Sequence, residues 1–292
     1  MAAATGRAKP LTWLITGSSS GFGLQLARLA QAQGHNVIAT SRNPGRTPEL
    51  VQEITDRGGK WLQLDLNDQN IGKMVEDLET SGTPIDVLVN SAGSAIVGPL
   101  ESFSEDEIRR QMEICFFGPY RLMRAVAPFM RKRRSGLIVN ISSGAGMEAR
   151  ESLGGYGASK SAMDAVSRVL HKELADFDVR VLLVYLGSFN TPMIVSNTLV
   201  EAPLDSDYEG TTTGLVYNII GKGTAKMPGD HVKACQAIYD VAMNKGWAKG
   251  LGNEIMLPLG VDMGVRVRET QDRLEHMMDV FGHICNSVNA DD

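Results

Sequence analysis

"LTWLITGSSSGFGLQLARLAQAQG", residues 11–34, decides the fold. A short apolar run, Leu11–Thr16, gives way to a glycine-rich turn and then to a stretch with helical period. A strand with apolar residues on both faces belongs inside a sheet covered on both sides. Gly17, Gly21 and Gly23 permit a tight turn, close backbone approach to a pyrophosphate, and tight packing of helix on strand. The first N–H groups of the helix then face the anion. Gly17, Ser19, Ser20, Gly21, Phe22 and Gly23 are the candidate contacts to a nucleotide. Their spacing is Gly-x-x-x-Gly-x-Gly, not the commoner Gly-x-Gly-x-x-Gly.

Outward from this unit, the same alternation continues. Further strands are expected at Asn36–Thr40, Lys60–Leu64, Ile85–Val89, Gly136–Ser142, Val179–Tyr185 and Glu254–Leu257. Helices are expected over 22–33, 68–80, 104–131, 155–176, 230–245 and 264–281. Strands separated by helices predict right-handed crossovers and a parallel sheet. The expected fold is α/β: one Rossmann-like, doubly wound domain of about seven strands with helices on both faces, spanning residues 1–292. Residues 191–229 are irregular and follow a strand's C-terminal end, where ligands sit in open sheets. They read as a substrate lid carrying a short helix.

Composition narrows the function. With 43% hydrophobic and 22% charged residues the chain is globular, and its net charge of −5 argues against nucleic acid as a partner. The basic run Arg131–Arg134 suits a helix C-terminus. Cys115, Cys235 and Cys285 are far apart, and no ligand spacing of Cys or His predicts a metal. No secretory signal and no membrane-spanning run is expected, which makes the cytoplasm the default location.

The second strand's end reads "VIATSRNPGR". An NAD site places an acidic residue there to hold the ribose 2′-hydroxyl. Ser41 and Arg42 stand in its place, with Arg46 nearby. A hydroxyl and a guanidinium suit a 2′-phosphate that a carboxylate would repel. NADP(H) is therefore the expected cofactor.

Tyr156 and Lys160, in "GGYGASKSAMDAVSRVL" (154–170), are four apart on a helical pattern and so share one face. A free phenol, with pKa about 10, is a poor base at neutral pH. An ammonium ~4 Å away, at an effective dielectric near 20, lowers that by roughly 3 units, and desolvation opposes part of the shift. The expectation is a phenol poised near neutral pH, able to give or take a proton.

These features resemble the short-chain dehydrogenase/reductase superfamily from Leu11 to about Leu259. The motifs occur in order: Thr16–Gly23, Asp65, "NSAG" at 90–93, Ser143, then Tyr156 with Lys160. "FFGPYRLMRAVAPFMRKRRSGLIVNISSGAG" is most similar to the 17β-hydroxysteroid-dehydrogenase-like branch. The resemblance implies that Ser143, Tyr156 and Lys160 are catalytic. Ser143 would hold the substrate oxygen beside the phenol, with Ser142 the less favoured neighbour, and Lys160 would also hold the nicotinamide ribose. Asp65 and Leu66 would meet the adenine. Asn90, Ala92 and Gly93 would line the adenine ribose and support the central sheet. Gly187, Phe189 and Thr191 would hold the nicotinamide amide. Pairing through the helices 104–131 and 155–176 into a homo-oligomer is also implied.

Two positions depart from that pattern. Cys115 stands where many members carry an Asn that supports a proton-relaying water chain, and a thiol is a weak substitute. Leu186 stands where a Pro usually precedes Gly187. The leading reading is an NADP(H)-dependent oxidoreductase moving a hydride between nicotinamide and a ketone or secondary alcohol on a hydrophobic small molecule. Ala145, Met147, Leu153, Leu186 and Met193 are its expected apolar lining. The two departures keep open a non-redox cyclase or isomerase on the same fold, and a catalytically weak NADP-binding sensor.

Overall fold

In the first strand, β1 (Thr12–Ile15), all four side chains are buried, Trp13, Leu14 and Ile15 completely. The computed structural model, which describes residues 9–191, 197–221, 223, 227–285 and 287–288, shows why. β1 lies inside a seven-stranded sheet, between β2 (Asn36–Ser41) and β4 (Val87–Asn90). β3 (Lys60–Gln63) flanks β2, and beyond β4 come β6 (Gly136–Ser143), β7 (Val179–Leu186) and β9 (Met256–Leu259). Every pairing is parallel. A separate pair, β5 (Ile96–Val97) with β8 (Thr198–Leu199), is parallel too.

Alternate side chains of the strands feed two apolar layers. Trp13, Ile15, Val37, Val89 and Val184 pack with α1 (Gly21–Ala32) and the helix His231–Ala242. Leu14, Ile38, Leu88, Ile138 and Val181 pack with α3 (Ile71–Thr80), α5 (Gly118–Arg133) and α7 (Gly154–Leu174), the last preceded in the chain by the short α6 (Gly144–Glu148). Helices therefore cover both faces, as the apolar strands require. The strand order reverses between β1 and β4, and such a switch point opens a crevice at the strands' C-terminal ends.

Several elements differ from the sequence expectation. The α2 helix (Pro48–Asp56) was not expected; Ile54 is its one buried residue, too sparse a pattern to show a period. The expected helix 104–131 is α4 (Glu105–Met112), a π-turn (Glu113–Phe117), then α5. Pro119 has no N–H for the Cys115 carbonyl, which favours the wider turn there. Ser104 and Glu107 form a capping box that fixes the start of α4. β9 runs two residues beyond the expected strand because it is a sheet edge, where Pro258 costs no ladder bond.

Within the irregular region, β8 is followed by the helix Thr212–Gly221, whose Tyr217 is buried in a cluster with Ala95–Val97. Met193 lies outside the described residues.

Candidate active site

Ser18, fully buried, fixes the glycine loop. Its N–H donates to Thr40 O (2.8 Å) and its hydroxyl to Ile15 O (3.0 Å). Gly17 has φ +71°, and a Cβ there would meet Ala92 Cα at 2.8 Å. The loop after β1 therefore passes against the loop after β4 with no room for a side chain. The Thr16 hydroxyl ties the two, accepting from Ser91 N (3.0 Å) and Ala92 N (3.1 Å). Ser20 precedes α1 without capping it by its side chain, so the helix's first N–H groups are left to the cleft.

The cleft, of about 920 Å³, is lined by nearly every expected residue. Gly17, Ser19, Ser20, Gly21, Phe22 and Gly23 form one end, with Ser41, Arg42, Asp65 and Leu66 beside them. Ala92 and Gly93 lie at the middle, and Ser143, Tyr156, Lys160, Gly187, Phe189 and Thr191 at the other end. Asn90 is not among the lining residues; it is buried in the sheet, and its amide donates to Asn140 Oδ1 (2.8 Å). Met147 is also absent from the lining, packing instead with Leu183, Tyr185 and Met263.

At the end of β2, the Ser41 hydroxyl accepts from Trp61 Nε1 (3.0 Å), which leaves its own proton to donate. Arg42 has no carboxylate partner among the described residues. This end of the cleft presents donors.

Tyr156 and Lys160 face each other on α7. Both are buried, at 8% and 6% exposure, and Lys160 Nζ lies 5.7 Å from the Tyr156 ring centre. Lys160 Nζ donates to Ile141 O (2.8 Å), which anchors the ammonium to the end of β6. The Ser143 hydroxyl accepts from Ala145 N (3.2 Å) and keeps its proton for the phenol's side of the cleft. The expected near-neutral phenol is corrected. Burial holds Tyr156 above its ordinary value, against the pull of Lys160 and of the Ser143 hydroxyl. With protein groups alone, the proton stays on the phenol.

Four groups that the sequence reading missed complete the site. Asp164, one helical turn past Lys160, is 3% exposed. Burial raises its carboxyl to about 6, while Ser142 and Lys160 pull it down. The Ser142 hydroxyl donates to Asp164 at 2.5 Å, so its proton is committed to this buried carboxyl, although both Ser142 and Ser143 line the cleft. Gln111 sits one turn before Cys115. Its carbonyl accepts from Ile96 N (2.8 Å) and its amide donates to Ser94 O (2.9 Å) and Cys115 Sγ (3.2 Å). An amide thus tethers the loop after β4 where the thiol alone would be weak.

Asp262 and Arg266, at the start of the C-terminal helix Met263–Cys285, clamp the loop after β7. The Asp262 carboxylate accepts the Ser188 N–H (3.1 Å) and hydroxyl (2.8 Å). Arg266 bridges Asp262 (2.8 Å) and Glu148 (3.1 Å). Partial burial disfavours the Asp262 carboxylate, but the Ser188 donors and Arg266 hold it below the ordinary range. A local sequence window cannot show these partners, since Ser188 and Asp262 are 74 positions apart.

The family signature described as "short chain dehydrogenase" matches residues 12–201. The chain belongs to the short-chain dehydrogenases. It is thereby an oxidoreductase of a family that binds a nicotinamide cofactor. It is 41% identical over 181 residues to "Oxidoreductase claN" of Passalora fulva, covering 62% of this chain and 83% of that one. It is 40% identical over 197 residues to the "3-ketodihydrosphingosine reductase" of Bacteroides thetaiotaomicron, covering 66% and 69%. Among solved structures, a short-chain dehydrogenase from Streptomyces avermitilis superposes with TM-score 0.85 at 32% identity, covering 97% of this chain and all of that one. That similarity extends past the signature's end at residue 201.

The residues present fit such a cofactor. The uncapped start of α1, the side-chain-free passage at Gly17 and the donors at Ser41 and Arg42 suit phosphates. Among the described residues no Cys, His, Asp and Glu cluster could hold a metal, and no helix is long and apolar enough to cross a membrane.

Proposed function

We propose that the protein is an NADP(H)-dependent carbonyl reductase, or secondary-alcohol dehydrogenase in reverse, acting on a hydrophobic small molecule. The observation that carries the reading is the convergence of Ser143, Tyr156 and Lys160 at one end of a cleft whose other end is the glycine loop. The bound nicotinamide would supply or accept the hydride. Ser143 orients the substrate oxygen by donating its hydroxyl proton. Tyr156, which keeps its proton against the pull of Lys160, gives it to the oxygen as negative charge develops there. Lys160, held by Ile141 O, stabilises the phenolate left behind.

Ser41 and Arg42 support NADP(H) over NAD(H): the strand end offers a hydroxyl and a guanidinium and no carboxylate. Gly17, Ser19, Ser20, Gly21, Phe22 and Gly23 would take the pyrophosphate. Asp65, Leu66, Ala92 and Gly93 would take the adenosine, and Gly187, Phe189 and Thr191 the nicotinamide. Ala95, Ala145, Leu153, Leu186, Leu199 and Ile220 give the substrate end an apolar lining, which suits a lipophilic ketone. The Bacteroides relative is named as a reductase of a keto compound, 3-ketodihydrosphingosine. Residues 197–221 would act as its cover, joined to the body by the β5–β8 pairing and by Glu107, whose carboxylate accepts Glu201 N (2.9 Å). The Gln111 tether and the Asp262 clamp stand where Cys115 and Leu186 weaken the pattern, and so favour redox chemistry over a cyclase or sensor.

Incubation of the purified protein with NADPH and a panel of lipophilic ketones tests the reading. Loss of the reduced-nicotinamide absorbance with at least one ketone, and much slower loss with NADH, is expected. Tight NADPH binding without oxidation by any ketone would overturn it.

A further inference from the structure

Among the described residues, the C-terminal helix Met263–Cys285 meets the body through its first half, at Met263, Arg266 and Arg273. From Gln271 to Cys285 every residue except Gly282 is exposed. At about 1.5 Å per residue, this part projects about 20 Å. A helix of that length is marginal alone and needs an apolar face to bury.

The face it carries is ordered. Val267, Leu274 and Phe281 recur every seven residues, and Thr270, Met277 and Ile284 follow each by three. These are the a and d positions of a coiled-coil seam. Leu274 is 57% exposed, Phe281 56%, Met277 48% and Ile284 50%. Met278 and Val280, also exposed, flank the seam and widen it. Arg268, Glu269, Asp272, Glu275, His276, Asp279 and His283 all fall on the opposite side.

We propose that this face packs against the same helix of a second copy of the chain, as a two-fold coiled-coil pair. Charge selects the occupant. From Leu274 onward the seam and its flanks carry no charged residue, so two copies meet without like charges opposed. Nor is there a charged row to select a partner of another sequence. A bilayer with anionic lipid is disfavoured, since the outer side carries Glu269, Asp272, Glu275 and Asp279 against Arg268 and two histidines. The proposal does not depend on the catalytic reading. It uses a surface different from the helices α4, α5 and α7.

Sedimentation equilibrium of the full chain tests it, with Leu274→Glu/Phe281→Glu compared against the outer-side control Glu275→Lys/Asp279→Lys. The seam variant is expected to have half the assembly mass of wild type, while the control keeps the full mass. The milder Leu274→Ala/Phe281→Ala is expected to weaken the association at least tenfold, with the melting transition of the body unmoved. A monomeric wild type at tens of micromolar, or a seam variant with the wild-type mass, would overturn the proposal. So would wild-type flotation with phosphatidylcholine vesicles that the seam variant loses without any change of mass.

Discussion

Tyr156, Lys160 and Asp164 share one face of α7, one helical turn apart, and burial acts on each. For Asp164, burial raises the carboxyl from 3.8 to about 6, so the folded chain holds this proton more tightly than the unfolded chain. The sign follows: wild type loses stability as pH rises from about 4 to about 7, on the order of 3 kcal/mol for a shift of about two units. Asp164→Asn should lack that loss, as denaturant unfolding of both proteins across the pH range would show. A difference between them that does not vary with pH would contradict the assignment. Arg42 tests the other end of the cleft. Arg42→Ala should raise KM for NADPH by about 10- to 100-fold, the usual worth of a hydrogen bond to a charged group, with little change for NADH. Tyr156, Lys160 and Arg42 were legible because helix spacing and strand-end position are local. Asp164 and Gln111 were not, because their partners Ser142, Ser94 and Ile96 come from other segments.

Elements rather than residues explain how this chain holds its nicotinamide-side loop. Leu186, in place of a Pro before Gly187, leaves the loop 187–191 less stiff. The start of the C-terminal helix restores the stiffness through Asp262, Ser188 and Arg266. Asp262→Ala should therefore raise KM for the cofactor about tenfold and lower kcat, while Asp262→Asn, which can still accept from Ser188, should recover part of both; steady-state kinetics checks this. Equal behaviour of the two variants would point to a merely structural role. The strands β1 to β4, β6 and β7 were legible as apolar runs, within a residue or two at their ends, whereas β5 and β8, of two residues each, were not. β9 was displaced because Pro258 reads as a strand stop unless the strand is known to lie at an edge. The π-turn was hidden inside an unbroken helical pattern.

Across the molecule, the parallel sheet places two loops, after β1 and β4, side by side at its reversal point and puts the end of β6 and the start of α7 beside them. This much followed from the alternation of strand and helix in the sequence. The polar cross-links between distant segments did not, nor did the projecting C-terminal helix, whose apolar seam reads in sequence like any core-facing helix. The account depends on Tyr156 being the group that delivers a proton to the substrate oxygen. Tyr156→Phe, assayed with NADPH and a ketone that wild type reduces, measures this directly. The account predicts a fall in kcat of about 10²- to 10⁴-fold with NADPH affinity unchanged. A Phe variant that turns over within a few-fold of wild type would contradict it.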